Sequence, residues 1–202
     1  MEPFYYCRSE QYSKMANMCY AEFLRLKTFY DSGKFIVEDD VNGKNIITAI
    51  NLSQKIDENY IGAIVFEAMA IESYVNLMGA YLTDEEAYYE QCKELPIRKK
   101  IEYVASSLNK KFPEGLKWRI QRLFNKRNDL VHQKPRAFTF DIEAEDRNVL
   151  LKKRDELLKE MSSNLKEKEM SLYEELKSAV KTMRQSKYEL LDEIRLKDEG
   201  EK

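Results

Sequence analysis

The sequence predicts an all-α protein, and three observations carry that reading. Glycine (6) and proline (4) are scarce among 202 residues. Charged side chains make up 35% of the chain, with the two signs nearly balanced. Apolar residues recur at spacings of three and four along most of its length. Few breakers, many helix formers and a 3.6-residue period specify amphipathic helices with charged outer faces. A chain of this length can bury a real core as one domain, and neither an internal repeat nor a long linker divides residues 1–202.

The first helix is expected from Ser9 to Tyr30, where Met15, Met18, Cys19, Phe23, Leu26 and Tyr30 form an apolar stripe. Tyr5, Tyr6, Tyr12 and Tyr20 flank it and read as half-buried rings with wet hydroxyls. Asp31-Ser32-Gly33 ends the helix, because Gly33 can adopt the left-handed conformation of a C-cap. Residues 34–50 break the pattern. Phe35-Ile36-Val37 and Ile46-Ile47-Thr48 lie either side of Asn42-Gly43, which predicts a short β-hairpin near residues 35–48. Ala137-Phe138-Thr139-Phe140 is a candidate third strand.

A second helix, about Asp57 to Leu82, is the most apolar element and should be central, with Asp57 and Glu58 at its N-terminal dipole. Thr83 is positioned to cap a short acidic helix that ends before Pro96. Ile97, Ile101, Val104 and Leu108 define the next helix, and Glu114 to Val131 the one after, with Leu116, Ile120, Leu123, Phe124, Leu130 and Val131 inward. Beyond Asp141 the pattern predicts a long charged helical hairpin that turns at Ser162-Ser163-Asn164. Its closing helix carries Leu172, Leu176, Val180, Met183, Leu190 and Ile194 and should pack back on the core.

Composition narrows the function. A formal net charge of −2 gives no general affinity for nucleic acid, so any such site is a local basic patch. Three cysteines, Cys7, Cys19 and Cys92, without a CxxC pair suit a reducing compartment and argue against structural zinc. No metal site or cofactor is expected. Met1 to Arg8 lacks the basic and apolar regions of a signal peptide, and Glu67, Glu72 and Asn76 interrupt the best apolar run. The cytoplasm is therefore expected, with no membrane partner.

Chemistry concentrates at two places. Glu67, Glu72 and Asn76 are anomalies in the apolar second helix, because a buried carboxylate is costly unless paired or well hydrogen-bonded. Glu72 and Asn76, four apart, share one face. Either that face meets water, or Glu72 reaches a buried cation, of which Arg127 is the first candidate. The second place is Arg127-Asn128-Asp129-Leu130-Val131-His132, with the chain's only histidine. Imidazole titrates near neutrality, and a neighbouring guanidinium suits phosphate. Lys117, Arg119, Arg122 and Lys126 lead into this stretch and Lys134 follows it. Such a run is either a solvated face or an RNA-binding approach, for which Arg119, Arg122, Lys126 and Lys134 are the candidates.

Arg127 to His132 resembles the RNxxxH signature of the HEPN superfamily, and Ala70-Ile71-Glu72-Ser73-Tyr74-Val75-Asn76 resembles a second stretch of many members. The resemblance covers about residues 55–195, leaving 1–54 as an extension. It implies an all-helical bundle and a metal-independent endoribonuclease, often a toxin or antiphage effector held by an antitoxin or released by a phage protein. His132 would move a proton, Arg127 would stabilise the phosphorane, Asn128 would orient it, and Glu72 with Asn76 would support them. One histidine per chain supplies half of an acid–base pair, so a homodimer with the motif facing across a two-fold cleft is expected. One branch of the superfamily carries a tyrosine two residues past the histidine; Lys134 stands there instead. The alternatives are a catalytically silent module that binds nucleotide, RNA or protein, and a structural protein whose His132 merely ends a helix.

Overall fold

The computed structural model describes residues 7–36, 44–132, 152, 155, 156, 158–160, 165 and 170–185, and every regular element among them is helical. In chain order these are α1 (Ser9–Asp31), α2 (Lys44–Leu82), α3 (Glu85–Cys92), α4 (Ile97–Ser107) and α5 (Glu114–Val131), then helical residues 152, 155, 156 and 158–160, and α6 over 172–185. The expected third strand at 137–140, the turn at Ser162-Ser163-Asn164 and most of the charged hairpin lie outside the described residues, as do Lys134, Leu190 and Ile194.

The chain forms two compact units. One contains the start of α1, α2 from Glu67 onward, α3, α4, α5 up to Asn125, and α6. The other contains α1 from Lys14, α2 up to Phe66, and α5 from Lys126.

α1 follows its expected bounds and ends as its sequence suggests. Gly33 has a φ of +64° and donates its amide to the Tyr30 carbonyl at 3.1 Å. The buried stripe is shifted from the expected one. Ala16, Phe23, Leu26 and Tyr30 are buried, whereas Met18 is 72% exposed. Phe23 packs on Tyr60 of α2, ring centroids 5.9 Å apart.

The hairpin near residues 35–48 is not formed where it is described. Phe35 lies in a turn, Val37 lies outside the described residues, and Ile46-Ile47-Thr48 is the first turn of α2. α2 therefore begins well before Asp57, which sits in mid-helix, where burial raises its carboxyl pKa, with Glu58 adding to the effect. The physical reason lies downstream. Ala49, Leu52, Ile56, Tyr60 and Ala63 are all buried at spacings of three and four, so helical packing overrides the β preference of two isoleucines and a threonine. By length and composition the Ile47–Leu82 stretch is apolar enough to cross a membrane. Core helices meet the same description, and here Ala63, Ile64, Ala68, Ala70, Ile71 and Val75 are buried in protein.

Asp84, not Thr83, caps α3: its carboxylate accepts from the amides of Glu86 and Ala87, while the Thr83 hydroxyl donates back to the Gly79 carbonyl. Pro96 starts α4, and Ile97, Ile101, Val104 and Leu108 are buried as expected. Asn109, at φ +54°, closes α4 in the left-handed conformation open to asparagine. In α5 the inward set is Leu116, Ile120, Leu123 and Phe124, while Val131 is 54% exposed rather than an anchor.

At Gly79 α2 lies directly against Tyr88 of α3. A Cβ there would lie 2.0 Å from Tyr88 Cε2, and Tyr88 is fully buried. Substituting Gly79→Ala should therefore destabilise the protein by about 3 kcal/mol, the upper end of ordinary overpacking. A lowered urea midpoint at unchanged slope would register it. An unshifted midpoint would mean that Tyr88 has room to move.

Candidate functional site

The Arg127–His132 stretch closes α5. Arg127 is half-buried, Asn128 and Asp129 are exposed, and His132 is exposed in the turn just beyond the last helical residue. The His132 amide donates to the Asn128 carbonyl at 2.9 Å, so the helical ladder extends to the histidine. On such a helix residues five apart diverge by about 140° around the axis, which accounts for one being half-buried and the other in water.

Glu72 and Asn76 do share a face, and within their own unit Lys100 stands beside Glu72 as a cation. Lys100 is 6% exposed and its Nζ lies 3.6 Å from Glu72 Oε1. It also donates toward Asn76 Oδ1 at 3.4 Å, and the Tyr88 hydroxyl donates to that oxygen at 3.0 Å. Because an ammonium can only donate, Lys100 fixes which end of the Asn76 amide is oxygen. Burial drives the Tyr88 phenol well above its ordinary range, so its proton stays in place for this bond. Lys100 was legible in principle, since it stands beside Ile97 and Ile101 at helical spacing in a sequence otherwise patterned for burial.

Much of the basic run on α5 is engaged inside the fold. Lys117 pairs with Glu102 at 2.9 Å and with Glu114 at 2.6 Å. Glu102, held by Lys117 and then by Lys99, titrates down at about 2. Arg119 makes a two-pronged pair with Glu175, at 2.7 and 2.8 Å. Arg122 is exposed and Lys126 half-buried. A groove of about 320 Å³ runs beside Trp118, Arg119, Gln121, Arg122 and Asn125.

Glu67 turns out to be structural. It falls in the stripe that buries Ala63 and Ile71, and is itself completely buried. Its Oε1 accepts the Tyr173 amide at 2.8 Å, in the first turn of α6, while Oε2 is buried without a hydrogen-bond partner. Burial lifts its pKa from the ordinary 4.5 to about 7, with the Tyr173 and Leu172 amides opposing and Glu174 reinforcing the shift. Tyr173 is fastened at its other end, where its hydroxyl meets Ser9 Oγ and Glu10 Oε1, each at 3.1 Å.

No family model, no curated protein and no solved structure matches this chain.

The Glu67 geometry sets a pH dependence. Between its unfolded value of 4.5 and its folded value of about 7 the native state holds more protons than the unfolded chain, so stability falls as pH rises through that window. The loss should total about 3 kcal/mol, at 1.36 kcal/mol per unit. Glu67→Gln keeps an acceptor for the Tyr173 amide and should flatten the curve. Urea unfolding of both proteins at pH 5 and pH 8 measures the difference. Equal slopes in the two proteins would refute the assignment.

Proposed function

We propose that this chain is a metal-independent endoribonuclease of the HEPN type, complete as a homodimer and acting in the cytoplasm as a toxin or antiphage effector. The observation that carries the reading is the exposure of the sole histidine at the end of α5. The ladder hydrogen bond to Asn128 ties His132 to the helix that holds Arg127. A histidine serving only to fill the core would be buried; this one meets solvent where a substrate can reach it.

RNA supplies its own nucleophile. The 2′-oxygen forms a bond to phosphorus, the bond from phosphorus to the 5′-oxygen breaks, and the products are a 2′,3′-cyclic phosphate and a 5′-hydroxyl. One proton leaves the 2′-hydroxyl and one reaches the departing 5′-oxygen. His132 of one protomer takes the first and its counterpart in the second protomer gives the other. Arg127 offsets the negative charge that builds on the phosphorane, and Asn128 orients it. An antitoxin or a phage protein would set when the enzyme acts.

The divergence of about 140° between Arg127 and His132 favours a second reading, a catalytically silent module that binds RNA, nucleotide or protein at the same surface. Cleavage of structured and single-stranded RNA with a chelator present separates the two. The wild type should cut, and His132→Ala and Arg127→Ala should each lose at least about 100-fold. Expression should also arrest cell growth, with relief by His132→Ala. Undiminished cutting by both variants would overturn the nuclease reading, and RNA binding without cutting would favour the silent module.

A further inference from the structure

Trp118 is the only tryptophan in the chain, and it is 55% exposed on α5. One face of its indole is covered. The Arg98 guanidinium lies 4.4 Å from the ring centroid, held there by Glu114 at 2.9 Å and Glu102 at 3.5 Å. That cover stiffens the ring and leaves its remaining surface on the groove that Gln121, Arg122 and Asn125 also line. These four positions, 118, 121, 122 and 125, repeat at three and four and so present one helix face.

The polar groups on that face are already oriented. Gln121 Nε2 donates to Asn125 Oδ1 at 2.8 Å. That bond leaves the Gln121 carbonyl oxygen as an acceptor and the Asn125 amino group as a donor, on two residues that line the groove. A planar group that offers its face to an indole and its edge to an amide pair matches an unpaired nucleobase. Arg122 is exposed on the same helix face. A base inside a duplex has both faces stacked on its neighbours and its Watson–Crick edge paired, so it cannot offer a face to the indole.

We propose that the open surface of Trp118, with the Gln121–Asn125 amide pair, is a stacking platform for one unpaired RNA base. The substrate is thus held single-stranded on α5. This inference rests on the RNA reading above and goes beyond it in naming the strandedness of the ligand and the residue that selects it. Stacking on the indole tolerates any base with a π-face, and the amide pair adds only a preference among them.

Because Trp118 is the sole tryptophan, its fluorescence reads the site directly. The probe is a ten-nucleotide mixed-sequence RNA, 2′-O-methylated so that it cannot be cut, titrated alone and annealed to its complement. The single strand should quench the emission and the duplex should not. In filter binding Trp118→Ala should weaken the single strand about tenfold or more, while Trp118→Phe should recover most of the affinity. Absence of quenching, equal quenching by the duplex, or wild-type affinity in Trp118→Ala would each overturn the platform. The two readings fail separately. Quenching by the methylated strand without cutting of unmethylated RNA keeps the platform and removes the nuclease. Cutting with unchanged KM in Trp118→Ala does the reverse.

Discussion

Glu67 puts a carboxyl group inside the protein at the first turn of α6, and the unit around it is arranged by that contact. A helix start leaves backbone amides without intrahelical partners, and a carboxylate from elsewhere in the chain can satisfy them. Here the acceptor comes from α2 rather than from a residue just before the helix. Its first target, the Tyr173 amide, belongs to a residue whose hydroxyl reaches Ser9 and Glu10 at the start of α1. The Tyr173 ring meets the Tyr74 ring edge-on at 5.9 Å, and Lys177 lies over its face at 5.2 Å. One carboxyl group and one tyrosine thus join three helices. Desolvation exceeds what the amides return, which is why the carboxyl holds its proton toward neutrality.

The same unit contains a second buried charge handled differently. Lys100 keeps company with Glu72 and with the Asn76 oxygen, so its burial is offset by an ion pair and an acceptor. Tyr88 completes the arrangement from the side of α3, and it fits only because residue 79 has no side chain. Removing either partner would leave a buried polar group unsatisfied, the case in which such groups cost most. The polar face of α2 thus joins α2, α3 and α4 through Glu72, Asn76, Lys100 and Tyr88.

Helices with a single strong periodicity were legible in the sequence. α4 matches its stripe, α5 matches from Leu116 to Phe124 though not at Val131, and Gly33 ends α1 where a C-cap glycine should. What misled was local preference set against distant packing. Ile46-Ile47-Thr48 and Asn42-Gly43 argue for a hairpin in isolation, but the buried set from Ala49 to Ala63 extends α2 through the first of them. Met18 looked inward because its spacing fits Met15 and Cys19, yet it is exposed while Ala16 is buried, a choice fixed by the side of α1 on which Phe23 meets Tyr60 of α2. The candidate site was legible as residues and not as geometry. Spacing predicted that Glu72 and Asn76 share a face, but only the fold brings Lys100 to them, from twenty-four residues away in the case of Asn76.

The ion pairs on α5 constrain how any RNA could be held. A site that neutralises many phosphates gains affinity from released counterions and loses it steeply with salt. Lys117 and Arg119 already face carboxylates, and undoing their pairs would leave Glu102, Glu114 and Glu175 beside the incoming phosphates. A strand on this face therefore finds little net positive charge. Stacking is the contribution that such a surface can still supply, since an indole needs neither counterions nor a particular base. Affinity drawn mainly from Trp118 would fall only gently as salt rises, and this fits a chain whose formal charge is −2 better than a phosphate-tracking groove does.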